Sequence, residues 1–120
     1  MDCIFCKIIN GEIPSYKLYE DEAVICFLDV NPDTLGHSLI VPKKHIVDLM
    51  DMDDETLTHI MDVARTIKKL LEEKLNIDGL TLIQNNGDVQ EVKHYHLHLK
   101  PFYKEKKELL PIEEVYKIIK

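Results

Sequence analysis

The stretch His94-Tyr95-His96-Leu97-His98-Leu99 decides how this chain of 120 residues is interpreted. Successive side chains of a β-strand point to opposite faces of the sheet. On a strand, the three histidines would therefore share one face, and the residues between them would pack into an apolar core. Imidazole titrates near pH 6.5, so it can attack, move a proton or bind a metal near neutral pH. The pattern predicts a strand that carries a functional site.

Composition restricts the class of protein. Lys and Arg number 15 against 22 Asp and Glu, which gives a net charge of −7. Binding to duplex nucleic acid depends on neutralising phosphates, so we expect no nucleic-acid partner. No run of residues is long or apolar enough to span a bilayer, and no secretory signal is recognisable, so we expect no membrane association. Three cysteines, two of them in Cys3-x-x-Cys6, fit a reducing compartment, and we expect a cytoplasmic protein.

Periodicity divides the chain into short strands, one long helix and a short helix near each end. Apolar spacing predicts a first helix over 3–9 and a long helix around 57–71. Asp53 or Asp54 should cap the long helix, and Pro111 should begin a short helix near the end of the chain. Strands are expected at 15–19, 23–28, 38–41, 80–84 and through the histidines. Without βαβ alternation, the pattern favours an α+β fold with a mostly antiparallel sheet, as a single domain over residues 1–120.

Two further side chains are expected to take no part in chemistry. His59 falls off the apolar stripe of the long helix, which indicates that it faces solvent without a role. Cys26 lies within an apolar strand pattern, which indicates a core position.

Three alternating histidines permit three classes of site: a metal centre, nucleophilic catalysis, or an anion site in which imidazole N–H groups bind phosphate. Spacing alone does not rank these classes. The turn Asn85-Asn86-Gly87 places amide donors before the histidines, which suits a phosphate. Asp29, at the end of an apolar strand, could accept from ribose hydroxyls. The Cys3-x-x-Cys6 pair is by itself a weak zinc signal.

Ordered blocks along the chain make the interpretation specific. They are Cys3-Ile-Phe-Cys-Lys-Ile-Ile-Asn-Gly-Glu-Ile-Pro14, Tyr19-Glu-Asp-Glu22, Phe27-Leu-Asp-Val30, Gly36-His-Ser-Leu-Ile-Val-Pro-Lys-Lys-His45, Asn85-Asn-Gly87 and the histidines. With these blocks the chain resembles the histidine-triad (HIT) family of nucleotide hydrolases and transferases, in its Hint-like branch. The resemblance implies a homodimeric α+β fold and a pocket for a purine nucleotide, such as AMP or an AMP conjugate.

The resemblance also implies a role for each matching residue. His96 would be the nucleophile that attacks the α-phosphorus and forms a nucleotidyl-histidine, which water then hydrolyses. His98 and Asn85 would donate to the phosphate, Asp29 would hold the ribose hydroxyls, and His37 would have a supporting role. The base pocket would be lined by Ile4, Phe5, Ile8, Phe27 and Val30. The implied activity is that of a nucleoside phosphoramidase; the alternatives are dinucleoside polyphosphate hydrolysis and nucleotide binding with little catalysis.

An attacking imidazole needs an acceptor for its other ring N–H, because that hydrogen bond fixes the tautomer. We expect a backbone carbonyl from a neighbouring strand to serve.

Some Hint-like proteins bind a structural zinc through the cysteine pair and two histidines. The matching residues here are Cys3, Cys6, His45 and His94. Such a set would close a tetrahedron and attach the N-terminal helix to the sheet. The other two triad histidines would then remain for chemistry.

The chain departs from the family pattern at three places. Glu91 stands where a Ser or Thr is usual, and its carboxylate would repel a phosphate by about 1 kcal/mol at 4 Å in water; it either points away or acts protonated as a general acid. Lys100 replaces an apolar residue and shares the face of the histidines, so it could pair with a phosphate, but we expect it to extend into solvent at the strand end. The tail 103–120 has no family pattern, in a region that often shapes specificity.

Overall fold

The elements of the fold follow the periodicity of the sequence. The structure, a computed structural model, describes residues 3–120. Along this part of the chain lie α1 (Ile4–Ile9), β1 (Lys17–Glu20), β2 (Val24–Leu28), β3 (Ser38–Pro42), α2 (Asp54–Leu75), β4 (Gly79–Gln84), β5 (Leu97–Phe102) and α3 (Ile112–Ile119). Short 3-10 turns occupy Leu49–Asp51 and Gly87–Val89. Within these residues no helix combines the length and the apolar character that crossing a bilayer requires.

The five strands form one sheet in the order β1-β2-β3-β5-β4, and every neighbouring pair is antiparallel. The apolar strands β2 and β3 are buried along their whole length. In β5, His98 lies opposite Leu39 of β3 and Ile83 of β4. The predicted α+β fold with a mostly antiparallel sheet is therefore confirmed, and β4 is left at one edge.

The main core lies between the sheet and α2. The buried side chains of α2 are Ile60, Val63, Ala64, Ile67 and Leu71, which share one stripe of the helix. The carboxylate of Asp53 accepts from the backbone N–H of Thr56 at 2.9 Å and caps the helix, as predicted. Tyr95, Leu97 and Leu99 point into this core, as the alternation around the histidines predicts.

A second, smaller cluster covers the opposite face of the sheet. Phe5 and Ile8 of α1 pack there against Phe27 and Leu39. The short helix α1 therefore lies on the same side of the sheet as the histidines, because the residues between the histidines occupy the α2 side. This placement brings the N-terminal cysteines within reach of the triad.

The histidine segment differs from its prediction in one respect. Regular strand pairing begins at Leu97, so His98 is within β5 whereas His94 and His96 lie in the extended segment before it. The backbone N–H of Tyr95 bonds instead to the carbonyl of Ile46, at 2.6 Å, outside the sheet ladder. The backbone of Tyr95 is thus held by a loop and not by a neighbouring strand.

The prediction that His59 faces solvent without a role is wrong. Its Nε2 lies 2.6 Å from Oδ2 of Asp21, and the ring is half-buried. Asp21 also accepts from the hydroxyl of Tyr19 and from the backbone N–H groups of Ala23 and Val24. Burial acts to raise the pKa of Asp21, but these hydrogen bonds together hold that pKa below its usual range. The contact joins α2 to the β1–β2 turn.

Candidate active site and metal centre

A polar cavity of about 370 Å³ opens beside the histidines. Its walls come from the loop between β2 and β3, the end of β4 and the segment that leads into β5. The lining residues are Asp29, Asn31, Asp33, His37, Ile83, Asn85, Glu91, His96, His98 and Lys100. Seven residues singled out from the sequence are thus brought to one cavity: Asp29, His37, Asn85, Glu91, His96, His98 and Lys100.

His96 is buried, with 5% of its surface exposed. One hydrogen bond fixes the tautomer of its ring. Its Nδ1 lies 2.7 Å from the carbonyl oxygen of His94. Because a carbonyl can only accept, the neutral ring carries its proton on Nδ1 and keeps an unshared electron pair on Nε2. The expected acceptor is a backbone carbonyl, but its predicted source in a neighbouring strand is wrong. It belongs to the residue two positions earlier, because this segment lies outside the sheet ladder.

The ring of His96 is held from two sides by other rings. The centroid of Phe5 lies 4.9 Å away in an edge contact, and that of His98 also lies 4.9 Å away. Aromatic edge contacts at this distance restrict rotation of the ring. The imidazole is therefore oriented before any ligand binds.

A chain of hydrogen bonds sets the tautomer of His98. The backbone N–H of Asp33 donates to Nδ1 of His37 at 3.0 Å, so His37 carries its proton on Nε2. That Nε2 lies 2.9 Å from Nδ1 of His98 and donates to it. His98 must then carry its own proton on Nε2, which makes it a hydrogen-bond donor. Oδ2 of Asp29 lies 3.5 Å from Nε2 of His37 and flanks the same contact.

Burial keeps both rings of this chain neutral at pH 7. It lowers the pKa of His98 to about 4, with further lowering by His96, His37 and Lys100. Burial likewise lowers the pKa of His37, and Asp29 only partly opposes that effect. His98 therefore acts as a neutral donor and not as an imidazolium.

Gly36 allows the loop to deliver His37 to this place. Its φ is +88°, and a Cβ there would lie 2.7 Å from a methyl carbon of Leu75. A larger residue would be strained by this backbone conformation, and the side chain of Leu75 would have to shift to admit it.

The two unusual residues of the cavity occupy different parts of its wall. Glu91 is exposed and lines the cavity together with His96. Nζ of Lys100 lies 2.5 Å from Oδ2 of Asp33, and Lys100 lowers the pKa of that carboxyl. The prediction that Lys100 extends into solvent is wrong, because the loop that ends at His37 places a carboxylate beside it.

The residues predicted for a base pocket surround α1 and the end of β2. Phe5, Ile8 and Phe27 are buried in the second cluster, whereas Ile4 is 48% and Val30 is 69% exposed. Phe5 joins this group to the cavity through its contact with His96. Their assignment to a nucleotide base stays a prediction.

Four potential metal ligands meet at the start of α1. Cys3 caps the helix and accepts from the backbone N–H of Cys6 at 3.4 Å, so one helical turn brings the two thiols together. Sγ of Cys3 lies 3.3 Å from Nδ1 of His94, and Sγ of Cys6 lies 3.2 Å from Nδ1 of His45. All four ligand atoms lie within 4.8 Å of one another.

This arrangement fits a tetrahedral zinc ion. Zinc bonds of about 2.3 Å to sulfur and about 2.0 Å to nitrogen place ligand atoms roughly 3.3–3.8 Å apart in a tetrahedron, close to the contacts observed. Nε2 of His94 donates to the carbonyl of Pro42 at 2.8 Å, which leaves Nδ1 free to ligate. Burial and the neighbouring Cys3 raise the pKa of Cys6 to about 11. Binding of zinc would displace the thiol proton of Cys6.

Comparison with known proteins places the chain in a family. The model of the HIT domain matches residues 10–105. The chain belongs to the HIT family. This HIT protein is 49% identical over 116 residues to an uncharacterized HIT-like protein of Methanocaldococcus jannaschii. The matched region covers 94% of this chain and 88% of that protein. This HIT protein is 46% identical over 110 residues to the adenosine 5'-monophosphoramidase HNT1 of Saccharomyces cerevisiae, covering 90% of this chain and 67% of that one.

The fold of the HIT protein also matches solved structures. A zinc-bound histidine triad family protein from Mycobacterium smegmatis superposes with a TM-score of 0.91 at 36% identity. The match covers 99% of this chain and 91% of the other. The family resemblance and the fold predicted from the sequence are confirmed.

Sequence reasoning missed two contributors to the site of this HIT protein. The backbone N–H of Asp33 fixes His37, and the side chain of Asp33 pairs with Lys100. A backbone donor leaves no signal in the residue type. One feature of the sequence weakly indicates a role for the Asp33 carboxylate: it lies four positions before His37 in the same loop.

Proposed function

We propose that this HIT protein is a nucleotide hydrolase of the phosphoramidase type. It would cleave the bond between a purine nucleoside 5'-monophosphate and its leaving group. The observation that carries the proposal is the bond from Nδ1 of His96 to the carbonyl of His94, because it leaves Nε2 unprotonated in the cavity wall. The similarity to an adenosine 5'-monophosphoramidase supports the same class of reaction.

The reaction would take place in two displacements. Nε2 of His96 attacks the α-phosphorus, a nitrogen–phosphorus bond forms, and the bond to the leaving group breaks with its electron pair departing on that group, which takes up a proton. Water then attacks the same phosphorus, releases the nitrogen and gives up a proton. Dividing one difficult step into two easier ones is the advantage of covalent catalysis. The carbonyl of His94 stabilises the positive charge that the ring acquires in the intermediate.

Donors in the cavity would hold the phosphate while this happens. Nε2–H of His98 donates to a phosphate oxygen, and the amide of Asn85 supplies a second donor. Asp29 accepts from the ribose hydroxyls, and the apolar residues around α1 and Val30 contact the base. The carboxylate of Glu91 would repel phosphate, so we assign it to the water of the second step and not to substrate binding.

A structural zinc ion would accompany this site. Cys3, Cys6, His45 and His94 would hold it, and it would attach α1 to the sheet without entering the reaction. The contacts among the four ligand atoms and the zinc-bound relative support this assignment.

A homodimer formed across β4 completes the proposal. This strand is at the edge of the sheet, so one side of its backbone is unpaired within residues 3–120. Leu82 of β4 is 45% exposed beside a groove of about 350 Å³, whose apolar lining also includes Met61, Ala64 and Leu80. Two copies of this face would bury each other's apolar surface.

The proposal is tested with His96→Ala and an adenosine 5'-phosphoramidate. We expect turnover to fall at least 1,000-fold, roughly the loss of a catalytic nucleophile, whereas AMP still binds. Acid quenching of the wild-type protein should trap a covalent AMP adduct that the variant lacks. His59→Ala, a histidine remote from the cavity, is the matched control. Unchanged turnover in His96→Ala would refute the assignment of the nucleophile.

A second candidate, nucleotide binding with little catalysis, is favoured by the position of Glu91 in the cavity wall. It predicts that Glu91→Ser increases turnover markedly. Comparison of kcat/KM for the phosphoramidate and a dinucleoside polyphosphate separates the two hydrolase alternatives.

A further inference from the structure

The row of side chains on β5 continues past the histidines. By alternation, His98, Lys100 and Phe102 share one face of the strand. The Lys100 side chain is only 25% exposed, whereas that of its partner Asp33 is 62% exposed. The lysine is therefore the fixed member of the pair, and the carboxylate is the member that solvent can reach.

The charge of the cavity wall is unbalanced. Asp29, Asp33 and Glu91 contribute carboxylates, and among the described residues lining the cavity Lys100 is the one Lys or Arg. An anionic nucleotide would meet net negative charge here unless a carboxylate moved away. Displacement of the exposed Asp33 side chain would expose the ammonium group of Lys100 to the ligand.

A second groove, of about 600 Å³, shares Asp33 with the first cavity. Its charged lining residues besides Asp33 are Lys104, Lys106, Lys107 and Glu108, so lysines outnumber carboxylates, and Phe102 also lines it. Phe102 is 56% exposed at its edge. Three lysines and an exposed aromatic ring are suited to an anionic group that extends from a nucleotide.

We propose that Lys100 and Asp33 form an anion subsite, separate from the α-phosphate position at His96 and His98, that selects nucleotides with a second phosphate. The second phosphate takes the place of the Asp33 carboxylate on Lys100, and what lies beyond it continues into the lysine-lined groove. This inference rests on the proposed function, because it assumes a nucleotide in the histidine cavity. The second phosphate could belong to the leaving group or to the ribose.

Equilibrium binding tests the subsite in a His96→Ala background, which prevents turnover. The probes are AMP, ADP and adenosine 3',5'-bisphosphate. AMP has a single phosphate. The second phosphate of ADP lies on the leaving-group side, and that of the bisphosphate lies on the ribose. We expect Lys100→Met to weaken one of the two bisphosphorylated nucleotides about tenfold, the loss of one charge-assisted hydrogen bond, and AMP less than about twofold by the same reasoning. The affected probe identifies the source of the second phosphate.

Whereas Lys100→Met lowers nucleotide affinity, Asp33→Asn is expected to raise it. This variant keeps the backbone N–H that binds His37 and removes the competing carboxylate, so the same nucleotide should bind several-fold more tightly. A purely structural ion pair would make both variants behave alike, because each breaks the same contact. Lys100→Arg should retain most of the affinity, and Lys68→Met, an exposed lysine paired with Glu72 on α2, is the control.

The outcomes separate the two proposals. If AMP binds but Lys100→Met and Asp33→Asn shift the bisphosphorylated nucleotides in the same direction or not at all, the subsite is refuted and the proposed function stands. Equal weakening of all three nucleotides by Lys100→Met would also refute it, because Lys100 would then contact the α-phosphate. If no nucleotide binds to any variant, including the Lys68→Met control and the wild-type protein, the proposed function itself is refuted.

Discussion

Nε2 of His37 lies 2.9 Å from Nδ1 of His98, and this contact determines where both rings carry their protons. The backbone N–H of Asp33 fixes the first ring, and the first ring fixes the second. The proton on Nε2 of His98, the proposed phosphate donor, is therefore set by a main-chain group of the β2–β3 loop.

Substitution of His37 should consequently impair the reaction without removing a group that touches substrate. We expect His37→Ala to lower kcat about tenfold to 100-fold, at or below the lower end of the range for a positioned proton donor because His37 acts through His98, with little change in AMP affinity. His37→Gln, whose amide can still donate to His98, should recover part of the rate. Steady-state kinetics of both variants checks this, and equal rates for Ala and Gln would contradict it.

Metal analysis of purified protein checks the zinc assignment. We expect close to one zinc per chain in the wild-type protein and in Cys26→Ala, because Cys26 is buried in the main core. Cys6→Ala should lose most of the metal, since three ligands hold zinc far more weakly than four. Loss of zinc on His98→Ala would instead indicate that the metal is bound in the cavity, by the group that contains Asp29, His37 and His98.

The proposed dimer depends on an apolar contact across β4. Leu82→Glu would bury a charge in that contact, which is costly without a partner. Light scattering should then show the mass of the single 14.0 kDa chain, in place of twice that mass for the wild-type protein. Met50→Glu, at a residue that is 89% exposed, should leave the mass unchanged. A wild-type monomer would rule the interface out.

The contact between Asp21 and His59 should contribute to stability. Asp21→Asn weakens an acceptor of four hydrogen bonds, and we expect the free energy of unfolding to fall by about 1–3 kcal/mol. His59→Ala removes one of these bonds and should cost about 1 kcal/mol, because the pair is partly exposed. Urea titration measures both. Turnover should be unaffected, which distinguishes this contact from the proposed catalytic histidines, His96 and His98.

Stability should also fall as the solution becomes acidic. The pKa of His98 is about 4 in the folded chain and about 6.5 in an unfolded one. Between these values the unfolded chain binds more protons, so the free energy of unfolding decreases as pH falls from about 6.5 to about 4 and His98 adds no further slope below that. His37 acts in the same direction. In His98→Asn, urea titrations across this range should give a shallower decrease, and an unchanged slope would argue against the assignment.

The sequence predicted those features that depend on local periodicity. The apolar stripe located α2, Asp53 proved to be its cap, and the alternation around the histidines correctly placed Tyr95 and Leu97 in the core. The beginning of β5 was not predictable in this way, because strand pairing depends on where neighbouring strands end.

Contacts between distant residues account for the errors. Lys100 and Asp33 are 67 positions apart, and His59 and Asp21 are 38 apart. The position of His59 off the apolar stripe of α2 and that of Lys100 at the end of a strand both predict exposure to solvent. In both cases a loop from another part of the chain supplies the carboxylate, and only the folded topology decides which loop arrives there.

His94 takes part in both candidate sites, in the metal centre through its ring and in the cavity through its backbone carbonyl. Its ring lies among the thiols of Cys3 and Cys6, and its carbonyl oxygen holds the reactive ring of His96. A change at the thiols of Cys3 or Cys6 is therefore linked through His94 to the proposed nucleophile, His96. On the proposed mechanism we expect oxidation of either thiol to slow turnover, although no sulfur atom takes part in the reaction.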